Sequence, residues 1–122
     1  MPQINIEYSA NLPKGERLAE LAQALHRALP AIIDSDLDSF KTRLTRLDNY
    51  VIGDGAPGHA MLHIDLRILT GRTDAVKTAA GKAALDLAVK HVGAVPVGMD
   101  VQITVEVGAL DRANYHKQVV TG

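Results

Sequence analysis

The sequence predicts an α+β fold in which two β-α-β units form one four-stranded sheet with both helices on the same face. Hydrophobic residues recur at strand spacing, then helix spacing, then strand spacing, and this order occurs twice. A glycine-rich break separates the two halves, which run over about 1–57 and 58–122. Because a right-handed strand-helix-strand connection joins parallel strands, we expect parallel pairing within each half. At 122 residues, the chain is expected to form a single domain.

The first half contains a strand, a helix and a second strand. Residues 3–8 alternate polar with apolar side chains, which is the period of a half-buried strand. Apolar residues then recur at helical spacing up to Pro30, so a helix is predicted over about 15–29. Residues 40–51 alternate again and include β-branched and aromatic side chains, which predicts the second strand.

The second half repeats this order. Residues 60–69 alternate and predict a third strand. A long alanine-rich helix follows and is predicted to end near Gly93, because glycine is common just after the last turn of a helix. One side of this helix is expected to consist of Val76, Ala80, Ala83, Leu87 and His91. Residues 101–107 alternate as a last strand, and the tail after Gly108 is polar without a defined period.

The predicted helices cover only one face of the sheet. The third strand has apolar residues on both faces, since Met61 and Leu69 share the second face with His63, Asp65 and Arg67. A sheet with apolar side chains on an uncovered face is expected to bury that face against another surface. We therefore expect the chain to form an oligomer through the bare face of the sheet.

Composition and charge exclude several classes of partner and site. Thirteen basic and fourteen acidic residues give a formal charge of -1 without a basic stripe, so a nucleic-acid partner is not expected. The absence of cysteine excludes disulfides and thiolate metal sites. No signal-peptide pattern begins the chain, which favours a cytoplasmic protein. The apolar stretch over 75–97 carries four charged side chains, too many for a membrane span.

Two motifs that suggest chemistry are set aside by their context. Gly53, Gly55 and Gly58 match the G-x-G-x-x-G dinucleotide fingerprint, but Pro57 lies inside the motif and a strand follows it. The fingerprint needs a helix whose amino end receives pyrophosphate, so the segment is interpreted as a connection between strands. No G-x-S-x-G occurs, which leaves serine hydrolysis without support.

The five histidines lack the spacing of a metal site, and none is predicted. His63 and Asp65 share a strand face and are candidates for a polar pair, with Arg67 beside them in a structural or interface network. His59, on the loop that enters the third strand, is a further candidate for a functional residue.

Pro2 is the candidate catalytic residue. Removal of Met1 would leave a secondary amine on a rigid ring at the start of the first strand. An α-amino group titrates at about 7.7 to 8.0, and both desolvation and nearby arginines lower that pKa toward neutrality. Such an amine would be a general base at cellular pH. The alternative is that Met-Pro is simply a common beginning of a protein chain.

Arg72 and Arg43 are candidate carboxylate-binding residues. Arg72 stands at the start of the second predicted helix, where free backbone N–H groups already favour an anion. Arg43 lies inside the second strand, where its planar fork suits a second carboxylate. The alternatives are a solvated turn residue for Arg72 and a pair with an acidic neighbour for Arg43.

The order of these features resembles the tautomerase superfamily and, within it, the 5-carboxymethyl-2-hydroxymuconate isomerase family. The resemblance runs over nearly the whole chain and begins with Pro2 ahead of the first strand. It is carried by Ile6-Glu7-Tyr8-Ser9-Ala10-Asn11, Arg43, Leu47-Asp48, Asp54-Gly55, His63, Gly71-Arg72-Thr73 and Asn114-Tyr115-His116-Lys117-Gln118. Each motif alone is common, whereas their order and spacing together are specific.

This resemblance implies a homotrimeric isomerase of aromatic catabolism that acts on a small carboxylate substrate without a metal or organic cofactor. Pro2 would be the acid and base catalyst, and Arg43 and Arg72 would bind carboxylates of a 2-hydroxymuconate-type di- or tricarboxylate. Two alternatives remain. One keeps the scaffold and base but uses another substrate, such as an arylpyruvate or a halogenated unsaturated acid. The other is a non-catalytic trimeric binding module in which Met1 stays in place.

Overall fold

The computed structural model describes all 122 residues. Four strands and two helices follow one another as β1 (Gln3–Ser9), α1 (Leu18–Ile33), β2 (Lys41–Leu47), β3 (His59–Leu69), α2 (Asp74–Val92) and β4 (Asp100–Leu110). Short 3-10 turns precede α1 and β2 and follow β4. Neither helix has the length and hydropathy that crossing a membrane requires.

The strands form one mixed sheet in the order β2-β1-β3-β4. Within each half the strands are parallel, β1 with β2 and β3 with β4. The halves join through the antiparallel pair of β1 and β3, with Ile6 opposite Ile64. The predicted pair of β-α-β units and the parallel pairing inside each unit are therefore confirmed. The glycine-rich segment over 53–58 connects β2 to β3 without a helix, as its interpretation as a strand connection requires.

The hydrophobic core lies between one face of the sheet and the two helices. Every second residue of the central strands is buried, which is the pattern of a sheet with one covered face. The fully buried large side chains come from β1, β3 and both helices, namely Ile4, Ile6, Leu18, Leu21, Leu25, Leu29, Ile33, Leu62, Ile64, Leu66, Ile68 and Val92. Burial of so many branched side chains supplies most of the free energy that holds the helices on the sheet.

Pro30 does not end the first helix, which corrects the predicted boundary. Helix α1 continues through Pro30 to Ile33, and Asp34 then adopts a left-handed conformation with its N–H donating to the Pro30 carbonyl. Proline costs a helix one backbone hydrogen bond. Here Leu29 and Ile33, on either side of it, are both buried in the core. Their burial offsets the local cost and extends the helix by one turn.

The buried stripe of α2 also differs from the predicted one. Val76, Ala83 and Leu87 only flank the core, whereas the fully covered positions are Ala80, Ala84, Ala88 and Val92. These residues repeat every four positions and are mostly alanines. Small side chains at the contact let a helix approach the sheet closely, which the periodicity of larger residues alone did not reveal. The helix ends at Gly93 as predicted, and the Thr73 side chain caps its first turn by accepting from the Val76 N–H.

The uncovered face of the sheet carries mostly polar side chains together with a few apolar ones. Met61 is partly buried on this face, but its neighbours are mainly charged or hydrogen-bonded. His63 pairs with the Thr104 hydroxyl at 2.7 Å, and Arg67 donates to Asp65 at 3.3 Å. The candidate pair of His63 with Asp65 is not formed. Alternation placed these residues on one face, but it did not reveal that His63 pairs with Thr104 of β4 and Asp65 with Arg67 of its own strand.

Candidate active site

The amino terminus lies in a cavity of about 290 Å³ between the end of α1, the turn after β3 and the carboxyl-terminal tail. We call it the amino-terminal cavity. Its charged lining comprises Met1, Asp34, Asp36, Arg72, Arg112 and Lys117. Met1 donates its α-amino N–H to the Ser39 carbonyl at 3.0 Å, and Pro2 beneath it is buried. The Pro2 carbonyl accepts from the Lys41 N–H at 3.3 Å, which ties the start of β1 to β2.

The surroundings of the α-amino group favour its uncharged form. Partial burial and the positive charges of Lys41, Lys117 and Arg72, in that order, lower the pKa of the Met1 α-amino group from 8.0 to about 6. Asp36 opposes the shift but does not cancel it. Removal of Met1 would place the α-amino group of the chain on Pro2, the next residue, which is buried. With a pKa of about 6, the Met1 α-amino group is largely unprotonated at neutral pH, so this part of the chain favours an amine that acts as a base.

Arg72 reaches the amino-terminal cavity from the turn between β3 and α2. Its guanidinium donates to the carbonyls of Ile33 at 3.1 Å, Asp34 at 3.3 Å and Leu69 at 3.5 Å. The first two carbonyls end α1, where the helix dipole is negative and carbonyls lack helical partners. Arg72 therefore stabilises the end of the first helix while its charge acts on the amino group. Three of its five N–H donors are committed to the backbone.

Arg43 lies elsewhere. It stands opposite Asn5 in the register of β1 and β2, on the open face of the sheet, and is exposed. Its guanidinium donates to the Gln3 side-chain oxygen, and Gln3 in turn donates to the Tyr115 hydroxyl at 2.7 Å. Arg43 does not line the amino-terminal cavity. The structure thus places Arg72 in the cavity that Met1 lines, whereas Arg43 lies on β2, two residues along the strand from Lys41.

Sequence reasoning missed three cations around this cavity. Lys41 is two residues before Arg43 on the same strand face, but only the pairing of β2 with the start of β1 reveals that it acts on the amino group. Lys117 belongs to a motif that carried the family resemblance, without an assigned role. Arg112 lies in the tail after β4, where no periodicity predicted a structure. Its only sequence signal was a basic residue just beyond a strand.

The loop between β2 and β3 carries a separate polar cluster. His59 bonds Asp100 at 2.6 Å through Nδ1 and Asp54 at 2.9 Å through Nε2. Asp100, then Asp54, raises the pKa of His59 through these hydrogen bonds. The cluster joins the glycine-rich loop to the start of β4. Since His59 does not line the amino-terminal cavity, the geometry gives it a structural role.

Comparison with known proteins identifies the family. A family model described as 5-carboxymethyl-2-hydroxymuconate isomerase matches residues 2–120. The chain belongs to this family. Its fold matches that of a 5-carboxymethyl-2-hydroxymuconate isomerase from Deinococcus radiodurans R1, with 29% identity and a TM-score of 0.87, over 96% of this chain and 88% of the other.

Two further structures share the fold of the 5-carboxymethyl-2-hydroxymuconate isomerase family at lower identity. A 5-carboxymethyl-2-hydroxymuconate delta-isomerase is 22% identical with a TM-score of 0.74, covering 98% of this chain and 89% of its own. A fused 4-OT protein described as a symmetric trimer is 18% identical with a TM-score of 0.73, over 95% of this chain and 93% of its own. A comparison with curated proteins gives no match.

These findings confirm the resemblance, the fold class and the activity class predicted from the sequence. As a member of the 5-carboxymethyl-2-hydroxymuconate isomerase family, the protein is an isomerase. The part of the molecule suited to this chemistry is the amino-terminal cavity, where a partly buried amine lies among several cations. The other large grooves lie against the helices and lack this combination.

Proposed function

We propose that this isomerase ketonises a 2-hydroxymuconate-type unsaturated di- or tricarboxylate, with Pro2 as acid and base after Met1 is removed. One observation carries the proposal. The amino terminus lies in a cavity where burial, Lys41, Lys117 and Arg72 hold the pKa of an α-amino group well below its usual value. The same cations suit a substrate with several carboxylates. Membership of the isomerase family supports the reaction class.

In the proposed reaction, the Pro2 nitrogen accepts the proton of the substrate's enol hydroxyl and then delivers a proton to a carbon of the conjugated system. One O–H bond is lost, one C–H bond forms and the double bonds shift, so the product is an isomer. The chain needs to supply only a proton carrier and charge stabilisation. General acid and base catalysis of this kind contributes about 10² to 10⁴ in rate.

Negative charge develops on the 2-oxo oxygen as the enol loses its proton, and it delocalises through the conjugated system to the carbon that is then protonated. Arg72 has two N–H donors left after its backbone hydrogen bonds, and we propose that they face this region. Lys41 and Lys117 add positive charge around the same amine. Donors that are already oriented stabilise a developing oxyanion without reorganisation during the reaction.

The proposed assembly is a homotrimer. The fused 4-OT structure of the same fold is described as a symmetric trimer. Within a single chain, β4 is an edge strand of eleven residues and one face of the sheet stays uncovered. A long free edge invites pairing with another chain, and defined association of copies removes it. Light scattering of the purified protein measures the number of copies directly.

The function is tested by following the ketonisation of 5-carboxymethyl-2-hydroxymuconate by ultraviolet absorbance, with protein whose mass confirms that it starts at Pro2. Turnover well above the buffer rate supports both the base and the substrate class. A panel with 2-hydroxymuconate, an arylpyruvate and a halogenated unsaturated acid compares the alternative substrates. If no member of the panel reacts faster than in buffer, the proposed function is wrong.

The pH dependence of kcat/KM reports the proposed base. Because a general base must be unprotonated, kcat/KM is expected to fall as the pH drops below the pKa of the Pro2 amine. Lys41 lowers the pKa of the amine at this position, so Lys41→Met is expected to raise that pKa and move the acid limb to higher pH. Lys82→Met, an exposed position on α2, is the control and leaves the profile in place. If the acid limb of the kcat/KM profile of Lys41→Met lies at the same pH as that of the wild type, the assignment of the Pro2 amine as the base is contradicted.

Arg43 remains a predicted carboxylate-binding residue. Arg43→Ala is expected to lower kcat/KM by about 10-fold to 100-fold, the range for losing a hydrogen bond to a charged group. The matched control is Arg67→Ala, since Arg67 is exposed on the same sheet face and pairs with Asp65. Steady-state kinetics of both variants show whether the loss of kcat/KM is specific to Arg43. Equal activity in Arg43→Ala and the wild type would remove Arg43 from the site.

A further inference from the structure

Arg112 lies beside Arg72 in the amino-terminal cavity and is held there by the turn after β3. Its backbone N–H donates to the Thr70 hydroxyl at 3.3 Å, and one guanidinium nitrogen donates to the Thr70 carbonyl at 3.1 Å. Asp111 caps the 3-10 turn that carries it by accepting from the Ala113 N–H. The tail is thus anchored at the point where Arg112 enters the cavity. Arg112 also lines a neighbouring cavity of about 520 Å³ that includes Arg72.

The two arginines differ in how many donors they have free. A guanidinium carries five N–H donors. Arg72 commits three of them to backbone carbonyls, whereas Arg112 commits one. A bidentate bond to a carboxylate needs two parallel N–H groups on one face of the fork. Arg112 is therefore the arginine of this cavity whose fork is largely open.

Neither arginine is neutralised by a neighbouring acid. The ion pairs of the molecule join other residues, and none involves Arg72, Arg112 or Lys117. Asp34 and Asp36 line the same cavity without pairing with these cations. An arginine that lines a concave site and has free N–H donors but no carboxylate partner is suited to an anionic ligand.

The location of Arg112 relative to the amino terminus also bears on its role. Arg112 lines the amino-terminal cavity together with Met1, and it also lines the neighbouring cavity of about 520 Å³, which Met1 does not reach. Arg112 is therefore placed to meet the part of a ligand that extends away from the reacting end. A substrate with a single carboxylate beside its enol has no group for this position.

We propose that Arg112 is a specificity-determining residue that binds the distal carboxylate of the substrate and so selects di- and tricarboxylates over monocarboxylates. The inference rests on the proposed function, because it places the reacting end of the substrate at Pro2. Arg112 does not touch the reacting atoms. Its contribution is to affinity and selectivity, so its loss changes KM and ligand binding more than kcat.

The test measures binding of adipate and hexanoate, a diacid and a monoacid of six carbons, to protein that starts at Pro2. Titration calorimetry of Arg112→Gln is expected to show a Kd for adipate raised about 10-fold to 100-fold. The Kd for hexanoate is expected to change less than about twofold. Arg112→Lys keeps the charge but not the fork, so its adipate affinity falls between those of Arg112→Gln and the wild type. Arg27→Gln, at an exposed position on α1, is the matched control and binds both acids as the wild type does.

Equal weakening of adipate and hexanoate in Arg112→Gln overturns the proposal, as does unchanged adipate affinity or a wild type that binds neither acid. Turnover is measured separately in the same preparations. A wild type that selects adipate through Arg112 but ketonises no dienol would contradict the proposed function and leave the distal carboxylate site standing. Turnover of a dienol, together with an adipate affinity that does not depend on Arg112, would support the proposed function and overturn the role of Arg112.

Discussion

Protein that keeps Met1 is expected to ketonise its substrate at least about 10²-fold more slowly than protein that starts at Pro2, because general acid and base catalysis contributes that much or more. With Met1 in place, the Pro2 nitrogen is part of an amide and has no basicity. Met1 also lines the amino-terminal cavity, where its amino group donates to the Ser39 carbonyl. Both effects act against turnover.

One preparation suffices for this experiment. Protein with Met1 is treated with a methionine aminopeptidase, and kcat is followed beside the intact mass as Met1 is lost. Activity should rise in proportion to the fraction that begins at Pro2. A Pro2→Ala variant, processed in the same way, replaces the rigid secondary amine with a flexible primary one and is expected to lose turnover while its assembly stays intact. Equal activity before and after removal of Met1 would exclude Pro2 as the base.

Replacement of Arg72 by alanine is expected to lower both activity and stability. The variant loses charge near the proposed oxyanion, and removal of one such donor typically costs about 10² to 10³ in kcat. It also leaves the carbonyls of Ile33, Asp34 and Leu69 without this donor. Lost hydrogen bonds from a charged donor predict a decrease of about 1 to 3 kcal/mol in the free energy of unfolding.

Urea unfolding and steady-state kinetics of Arg72→Ala measure the two effects separately. Arg72→Lys retains the charge but not the planar fork, so we expect it to recover part of the activity and less of the stability. Arg27→Ala is the surface control and should change neither quantity. An Arg72→Ala protein with unchanged unfolding and lower activity would mean that the bonds to the end of α1 contribute nothing to stability. Unchanged activity would remove Arg72 from the site.

The outcome for Pro30 illustrates how a local rule yields to packing. A proline normally marks the end of a helix in sequence, since it lacks an N–H donor. The buried Leu29 and Ile33 favour one more turn, and this contribution depends on a core built from both halves of the chain. In the same way, alternation placed His63 and Asp65 on one face, but each found its partner elsewhere, Thr104 for His63 and Arg67 for Asp65.

The sequence by itself determined the elements, their order, the family and the candidates Pro2, Arg43 and Arg72, because periodicity and motif order are local properties of the chain. Only the tertiary structure decided which cations surround the amino terminus. Lys41, Arg72 and Lys117 lie far apart in sequence, yet all three act on the Met1 amino group, and the anchoring of the tail at Thr70 adds Arg112 to the cavity. Distances between such residues follow from the packing of the whole domain, so no short-range pattern encodes them.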